Sequence, residues 1–272
     1  MTAGLAMSDA DFAALTAKIT RERGFGCASY KEKCLRRRIA VRMRARGVHT
    51  YRDYARVLDT DGGEYDRLLD ALTINVTRFF RNPEAWAALD EQVLAPLLAA
   101  RAPIRIWSAG CASGEETYTL AILLHRRLAA LGKKARAVEI IGTDIDAASL
   151  EAAERGVYDA PALADVPADR RAAYFAGDGP YAIIPAVRAL VRLRRHDLLA
   201  DPAPGGPFEL IVCRNVTIYF DRRSQEALLE KFYGALAPRG VLFQGKVEML
   251  TGPARTRFEV VDARERIFRR AS

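Results

Sequence analysis

The sequence predicts an α/β fold with a mostly parallel sheet and an antiparallel edge, preceded by a small all-helical N-terminal domain. Three observations carry this. No strand is needed before residue 100; beyond Pro103 short apolar runs alternate with helical segments; and the last two runs lie close enough to pair as a hairpin. A chain of 272 residues, 50% of them hydrophobic, can bury one substantial core and a small accessory one. The expected division is a helical domain over residues 1–80 and an α/β domain over residues 81–272.

The helical part is read from caps and periodicity. Ser8 with Asp11 resembles a capping box, and Phe12, Leu15 and Ile19 follow at helical spacing. A second helix between Lys31 and Arg46 carries Lys31, Lys33, Arg36, Arg37, Arg38, Arg42, Arg44 and Arg46, interleaved with Leu35, Ile39 and Met43. Thr50 with Asp53 caps a short helix, Asp61-Gly62-Gly63 makes a turn, and Glu64 to Leu72 is helical again. The candidate strands are Ile104–Trp107, Val138–Gly142, Leu190–Leu193, Phe208–Cys213, Val241–Gln244, Phe258–Val261 and Arg266–Arg269. Between Tyr158 and Val191 a Pro-, Gly- and Ala-rich stretch without period reads as an insertion or small subdomain rather than core.

Composition narrows the function classes. No apolar run approaches the roughly 20 residues that span a bilayer, and residues 1–20 lack a signal-peptide pattern, so a cytoplasmic protein without membrane insertion is expected. Cys27, Cys34, Cys111 and Cys213 form no CxxC pair, and His49, His125 and His196 lack HExxH spacing, so neither a metal nor a disulfide framework is expected. The formal charge of +8 favours an acidic partner.

The chemistry concentrates where strands end. Ile104–Trp107 runs into Ser108-Ala109-Gly110-Cys111-Ala112-Ser113-Gly114-Glu115-Glu116 and then a long helix. Such a glycine turn brings a ligand close to backbone, but the GxGxxG spacing is missing and an acidic pair sits where a pyrophosphate belongs. That disfavours a dinucleotide and favours a cation such as S-adenosylmethionine, with its sulfonium and amino group. The plain alternative is two acids serving the helix dipole. Asp144, closing the next strand, stands where such folds bind ribose hydroxyls, whereas Asp146 equally suits a helix N-cap. His196-Asp197-Leu198-Leu199 supplies a third edge position, suited to adenine or equally to a turn acid.

Three segments in this order resemble the CheR family of chemotaxis receptor glutamate O-methyltransferases. Asn75-Val76-Thr77-Arg78-Phe79-Phe80-Arg81 is similar to its N-x-T-x-F-F-R segment, Trp107 to Tyr118 to its cofactor loop, and Cys213-Arg214-Asn215-Val216-Thr217-Ile218-Tyr219-Phe220 to its C-R-N-V-x-I-Y-F signature. The resemblance implies a class I, Rossmann-like methyltransferase domain that binds S-adenosylmethionine and releases S-adenosylhomocysteine. It implies cofactor contacts at Asn75, Thr77, Arg81, Glu116, Asp144, Asp197, Leu198, Arg214 and Asn215, with Glu115 as substitute for Glu116. The implied partner is the cytoplasmic helical bundle of a bacterial chemoreceptor, and a monomer is expected. Two departures stand out: Asp197 replaces a usual Asn, and Gly245-Lys246-Val247-Glu248 replaces a usual G-H-S-E. The segment from Tyr174 to Asp197 is also short beside relatives whose small β-subdomain docks a receptor peptide.

Within that resemblance, Arg81 and Tyr219 are the expected catalytic residues: the guanidinium fork holds the acceptor carboxylate and the phenol lines the methyl path. Arg38, Arg42 and Arg46 are expected to dock the glutamate-rich substrate, because Glu32 is the only acid between Lys31 and Arg46. The charge also invites a nucleic-acid methyltransferase, but Cys213-Arg214-Asn215-Val216 stands where amino-methylating enzymes carry N/D-P-P-Y/F, so no nucleic-acid partner is expected. A non-catalytic, cofactor-sensing scaffold marked by Lys246-Val247 is opposed by the retention of Arg81 and Tyr219.

Overall fold

Four helices, α1 (Asp9–Arg23), α2 (Glu32–Ala45), α3 (Tyr51–Thr60) and α4 (Gly62–Thr73), form the first of two units in a computed structural model that describes residues 8–73, 77–100, 103–132 and 138–271. Their starts follow the sequence signals. Ser8 Oγ accepts the Asp11 N–H at 3.0 Å and Thr50 Oγ1 that of Asp53 at 3.1 Å, each satisfying a donor that the first turn leaves open. Gly24 ends α1 with φ 68°, a left-handed cap that costs glycine little. Phe12, Leu15 and Ile19 from α1 meet Leu35, Ile39 and Met43 from α2 in one buried cluster. A later segment, Tyr219–Ser224, belongs to this unit. The Lys31 N–H donates to the Tyr219 carbonyl at 2.8 Å, and Phe220 packs edge-on against Tyr30 with centroids 5.0 Å apart.

The centre of this unit is ionic. Glu64 is fully buried and accepts bonds from Arg42 Nε at 2.9 Å, Arg42 Nη2 at 2.7 Å and the Tyr54 hydroxyl at 2.8 Å. Burial pushes its pKa up, but the Arg42 and Tyr54 bonds outweigh burial and hold it below the ordinary carboxylate value. Arg46 pairs with Asp61 at 3.1 Å, and Arg36 with Glu32 and Asp9, each at 2.6 Å. Glu32 is the only acid within α2, but the expectation that its cations are left unpaired is corrected: Asp9 and Glu64 from other helices and Asp61 from the α3–α4 turn pair with them, which spacing along α2 does not reveal.

The second unit holds a seven-stranded sheet of order β6-β2-β1-β7-β8-β10-β9. Its strands are β1 (Ile104–Ala109), β2 (Val138–Asp144), β6 (Val191–Arg195), β7 (Phe208–Cys213), β8 (Leu236–Gln244), β9 (Phe258–Asp262) and β10 (Ile267–Arg270). Neighbours from β6 to β8 are parallel, and β10 is antiparallel to both β8 and β9. β7 is buried along its whole length, as an apolar interior strand should be, while β6 at the edge exposes Arg192, Arg194 and Arg195. The chain runs from β1 outward through β2 to β6, then returns to place β7 on the other side of β1. That reversal opens a crevice at the carboxyl ends of β1 and β7.

Two expectations change here. Phe79 and Phe80, placed with the helical part by sequence, are buried in the core of the sheet unit, and the Phe80 N–H donates to Thr119 Oγ1 at 3.0 Å. The units accordingly divide between Ile74 and Asn75. The stretch near 158–190 is not peripheral either. Three strands of two or three residues, β3 (Val157–Tyr158), β4 (Phe175–Ala176) and β5 (Tyr181–Ile183), make an antiparallel sheet of order β3-β5-β4. Tyr158, Phe175, Ile183, Val187 and Leu190 enter the main core. Strands so short show no period. Among the described residues no helix is long and apolar enough to cross a membrane.

Removing Arg42 leaves Glu64 as a buried anion without its main partner, so Arg42→Met is expected to cost about 3–5 kcal/mol. Because the folded-state pKa of Glu64 is depressed, its contribution is present above the unfolded value of about 4.3 and is lost as pH falls through the folded pKa. Thermal unfolding of both proteins across acid pH measures the two effects.

Candidate functional site

Between β1 and the next helix, α7 (Glu115–Ala130), the chain makes a turn that only small residues allow. Gly110 has φ 78°, and a Cβ there would lie 2.6 Å from Val216 Cγ2; Gly114 has φ 93°, and a Cβ would lie 2.8 Å from the Ala153 Cβ. The N–H groups of Gly110 and Cys111 donate to the Thr143 carbonyl at 2.8 and 2.9 Å. Ala112 adopts φ 46°, a strain of order 1–3 kcal/mol for a residue with a Cβ. It points its N–H at Asp144 Oδ2, 2.8 Å away.

Asp144 therefore ties the turn to the end of β2. Its other oxygen accepts the Asp146 N–H at 3.0 Å, which leaves each oxygen further acceptor capacity. Burial raises its pKa, opposed by the Asp146 and Ala112 bonds. Asp146 is the N-cap of α8 (Ala147–Arg155), accepting from the Ala148 N–H at 3.0 Å and Ser149 Oγ at 2.8 Å.

The structure separates the acidic pair. Glu115 is buried and accepts from Ser113 Oγ at 2.7 Å. Glu116 presents Oε1 buried and without a hydrogen-bond partner, while Oε2 stands 3.6 Å from Arg214 Nη1. Burial lifts the Glu116 carboxyl to about 7 against the pull of Arg214. An orphaned acceptor of this kind demands a donor, and a cationic amino group is one that also favours ionisation.

Arg214, just past β7, is enclosed. Its guanidinium lies over the rings of Trp86 at 5.1 Å and Phe243 at 4.8 Å, and Nη2 donates to the Arg81 carbonyl at 3.2 Å and Asn82 Oδ1 at 3.1 Å. Burial lowers its pKa. The Arg81 carbonyl also receives Trp86 Nε1 at 3.1 Å. Arg214 thus fixes the segment bearing Arg81 and faces Glu116.

Sequence reading missed the residue that holds Asn215. Asn215 has φ 63°, and its N–H donates to Glu248 Oε2 at 2.8 Å. The same carboxylate accepts from the N–H groups of Gly245 (2.7 Å), Val216 (3.0 Å) and Thr217 (2.7 Å), and from Thr217 Oγ1 (2.8 Å). The available signal was the acid kept at the end of Gly245-Lys246-Val247-Glu248 while the two residues before it depart from the family pattern. Gly245 permits the approach, since a Cβ would lie 2.9 Å from the Asn215 nitrogen.

Asp197 behaves as a turn acid: Oδ1 accepts the N–H groups of Leu199 at 2.8 Å and Ala200 at 3.1 Å. Leu198 is buried, and its carbonyl accepts Lys231 Nζ at 2.6 Å. Thr77 is half-buried at the start of the sheet unit, and Asn75 lies outside the described residues. Tyr219 falls in the helical unit, where the Arg38 guanidinium lies 6.0 Å over its ring and donates from Nη1 to the Ala71 carbonyl at 2.7 Å. Among the described residues no group of His, Cys, Asp or Glu could hold a metal ion.

The sheet unit thus brings together a strained glycine turn, a buried acid beside it and an orphaned carboxylate oxygen, which suits a ligand with a cationic amino group and vicinal hydroxyls. The CheR methyltransferase, SAM binding domain, model matches residues 75–267, and the CheR methyltransferase, all-alpha domain, model matches residues 10–73. The chain is 37% identical over 246 residues to a chemotaxis protein methyltransferase of Listeria monocytogenes, covering 90% of this chain and 92% of that one. It is 36% identical to chemotaxis protein methyltransferase 2 of Pseudomonas aeruginosa, covering 88% and 86%, and 33% identical to the chemotaxis protein methyltransferase of Escherichia coli, covering 91% and 87%.

A carboxyl raised to about 7 must lose its proton before it pairs with a ligand ammonium. Affinity for S-adenosylhomocysteine should therefore rise from pH 6 to pH 8, with proton release on binding at the acid end. Glu116→Gln should remove that pH dependence and cost about 1.5–3 kcal/mol of affinity at pH 8. Calorimetry in buffers of differing ionisation enthalpy measures both; an unchanged slope in the variant would assign the proton elsewhere.

Proposed function

The chain belongs to the CheR methyltransferase family, and from that premise we propose that it forms glutamate γ-methyl esters on the helical signalling domain of a chemoreceptor. It is an S-adenosylmethionine-dependent methyltransferase of the chemotaxis type. What supports the reading is the match of both CheR domains over the chain, and the ester-forming chemistry it implies needs no base. A glutamate with an ordinary pKa of about 4.3 is already ionised near neutrality, so the residues must align rather than deprotonate.

Bound S-adenosylmethionine would supply an activated methyl group for in-line transfer to the carboxylate oxygen, with S-adenosylhomocysteine as the leaving group and no proton moved. The protein's own residues supply orientation, worth up to about 7–11 kcal/mol when the reacting atoms are well aligned. Asp144 is assigned to the ribose hydroxyls, Glu116 to the amino group, and Asp197 with Leu198 to the adenine edge. Asn75, Thr77, Arg214 and Asn215 complete the assigned cofactor contacts, Arg214 and Asn215 as a fixed wall. Arg81 and Tyr219 are assigned to the acceptor carboxylate. Strong stabilisation of either ground-state charge would slow the reaction, which suits a site whose cation Arg214 is spent on Arg81, Asn82 and Glu116.

The docking assignment shifts along α2. Arg42 and Arg46 are engaged by Glu64 and Asp61, and Arg38 by the Ala71 carbonyl. The exposed residues Lys33, Arg37, Val41 and Arg44 recur at spacings of four, four and three, so they share one helical face. Lys33, Arg37 and Arg44 have no ion pair among the described residues. A cationic stripe with an apolar centre suits an acidic amphipathic helix.

Methyl-labelled cofactor, the protein and a receptor signalling fragment should yield label on the fragment that alkali removes, because base hydrolyses a carboxyl ester and not an N-methyl group. Alkali-stable label would overturn the ester assignment. With the same fragment, Arg37→Glu with Arg44→Glu should raise the apparent KM at low salt and leave S-adenosylhomocysteine affinity unchanged. Salt should weaken the wild-type reaction, as charges beyond about 8 Å are screened at physiological ionic strength.

A further inference from the structure

The turn after β8 is held twice over. Its backbone is fixed without the Lys246 side chain, since Glu248 accepts the Gly245 N–H at 2.7 Å and the Lys246 carbonyl accepts Arg266 Nε at 3.2 Å. The Lys246 ammonium adds a different connection. It lies 3.7 Å from Glu84 Oε2 and 3.5 Å from Glu265 Oε2. Glu84 sits in the first turn of α5 (Pro83–Leu89), two residues after Asn82, whose side chain accepts Arg214. Glu265 is buried, its Oε2 makes no hydrogen bond, and its other oxygen faces the highly exposed Arg264 at 3.3 Å.

One ammonium therefore joins three pieces: the turn whose Glu248 fixes Asn215 to Thr217, the helix start that follows Arg81 and Asn82, and the turn between β9 and β10. Arg214 connects the first two: it precedes Asn215 in the chain, its Nη2 donates to the Arg81 carbonyl at 3.2 Å and Asn82 Oδ1 at 3.1 Å, and its Nη1 stands 3.6 Å from Glu116 Oε2.

We infer that Lys246 is a positioning residue that clamps the Glu248 turn to the start of α5 and so sets the cofactor-binding geometry around Arg214 and Glu116. The inference rests on the assignment of the cofactor to this site, and it is independent of which acceptor is methylated. Ion-pair strength at a half-exposed lysine sets the scale of the effect.

The test is calorimetric titration of the full chain with S-adenosylhomocysteine, with thermal unfolding measured alongside. Lys246→Met should weaken binding roughly three- to fivefold, the scale of a partly exposed ion pair. Lys246→Arg should restore affinity to within about twofold, since the cation is kept. Glu84→Gln should weaken binding alone and add no further loss in the Lys246→Met background, because both changes break one connection. Unchanged affinity in Lys246→Met, or fully additive losses in the double variant, would overturn the inference. Loss of binding in Glu116→Gln tests the site itself, so failure of the clamp and failure of the cofactor assignment give different results.

Discussion

Four backbone N–H groups and one hydroxyl converge on the Glu248 carboxylate, and the loop after β7 has its shape because of that anion. Buried N–H groups in a tight loop have no ladder to join, so an acceptor must be brought to them. Once Glu248 supplies it, Asn215 can remain left-handed, Val216 can close over Gly110, and Arg214 can start from a fixed backbone. The glycine turn after β1 and the loop after β7 are then mutually constrained: enlarging Gly110 pushes on Val216, and moving Val216 breaks a bond to Glu248.

Electrostatics in the sheet unit follow from the same enclosure. Glu116 and Arg214 face one another at 3.6 Å, a separation too long for a direct hydrogen bond. The guanidinium instead spends Nη2 on Arg81 and Asn82 and its faces on Trp86 and Phe243. Burial then raises the Glu116 pKa and lowers that of Arg214. The Glu116 carboxylate is thus only partly neutralised by its neighbour.

The helical unit uses charge differently. Glu64 draws Arg42 and the Tyr54 hydroxyl inward, with Arg46 behind, so part of the positive charge on α2 holds the helices together. On α2 itself, Lys33, Arg37 and Arg44 remain on the exposed side. Arg38 takes neither role: it donates to the Ala71 carbonyl and lies over Tyr219, so a residue in the segment after β7 becomes part of the helical unit's own packing.

The sequence by itself determined what local chemistry can encode: the Ser8 and Thr50 caps, the interior strand Phe208–Cys213, the hairpin of β9 with β10, the glycine turn and the acid closing β2. Family membership was legible too, because long motifs keep residue identity and order. Tertiary structure alone decided which charges are paired, since Glu64 and Arg42 lie on different helices and their burial appears only when the helices pack. It decided that Glu116 has an oxygen buried without a partner while Glu115 accepts from Ser113, because the two leave one helix start in different directions. It placed Phe79, Phe80 and, from the stretch after Tyr158, Phe175, Ile183, Val187 and Leu190 in the main core, where side chains are recruited by volume rather than by period. It also gave Glu248 its role, because five donors converge on that carboxylate only after β7 and β8 are side by side.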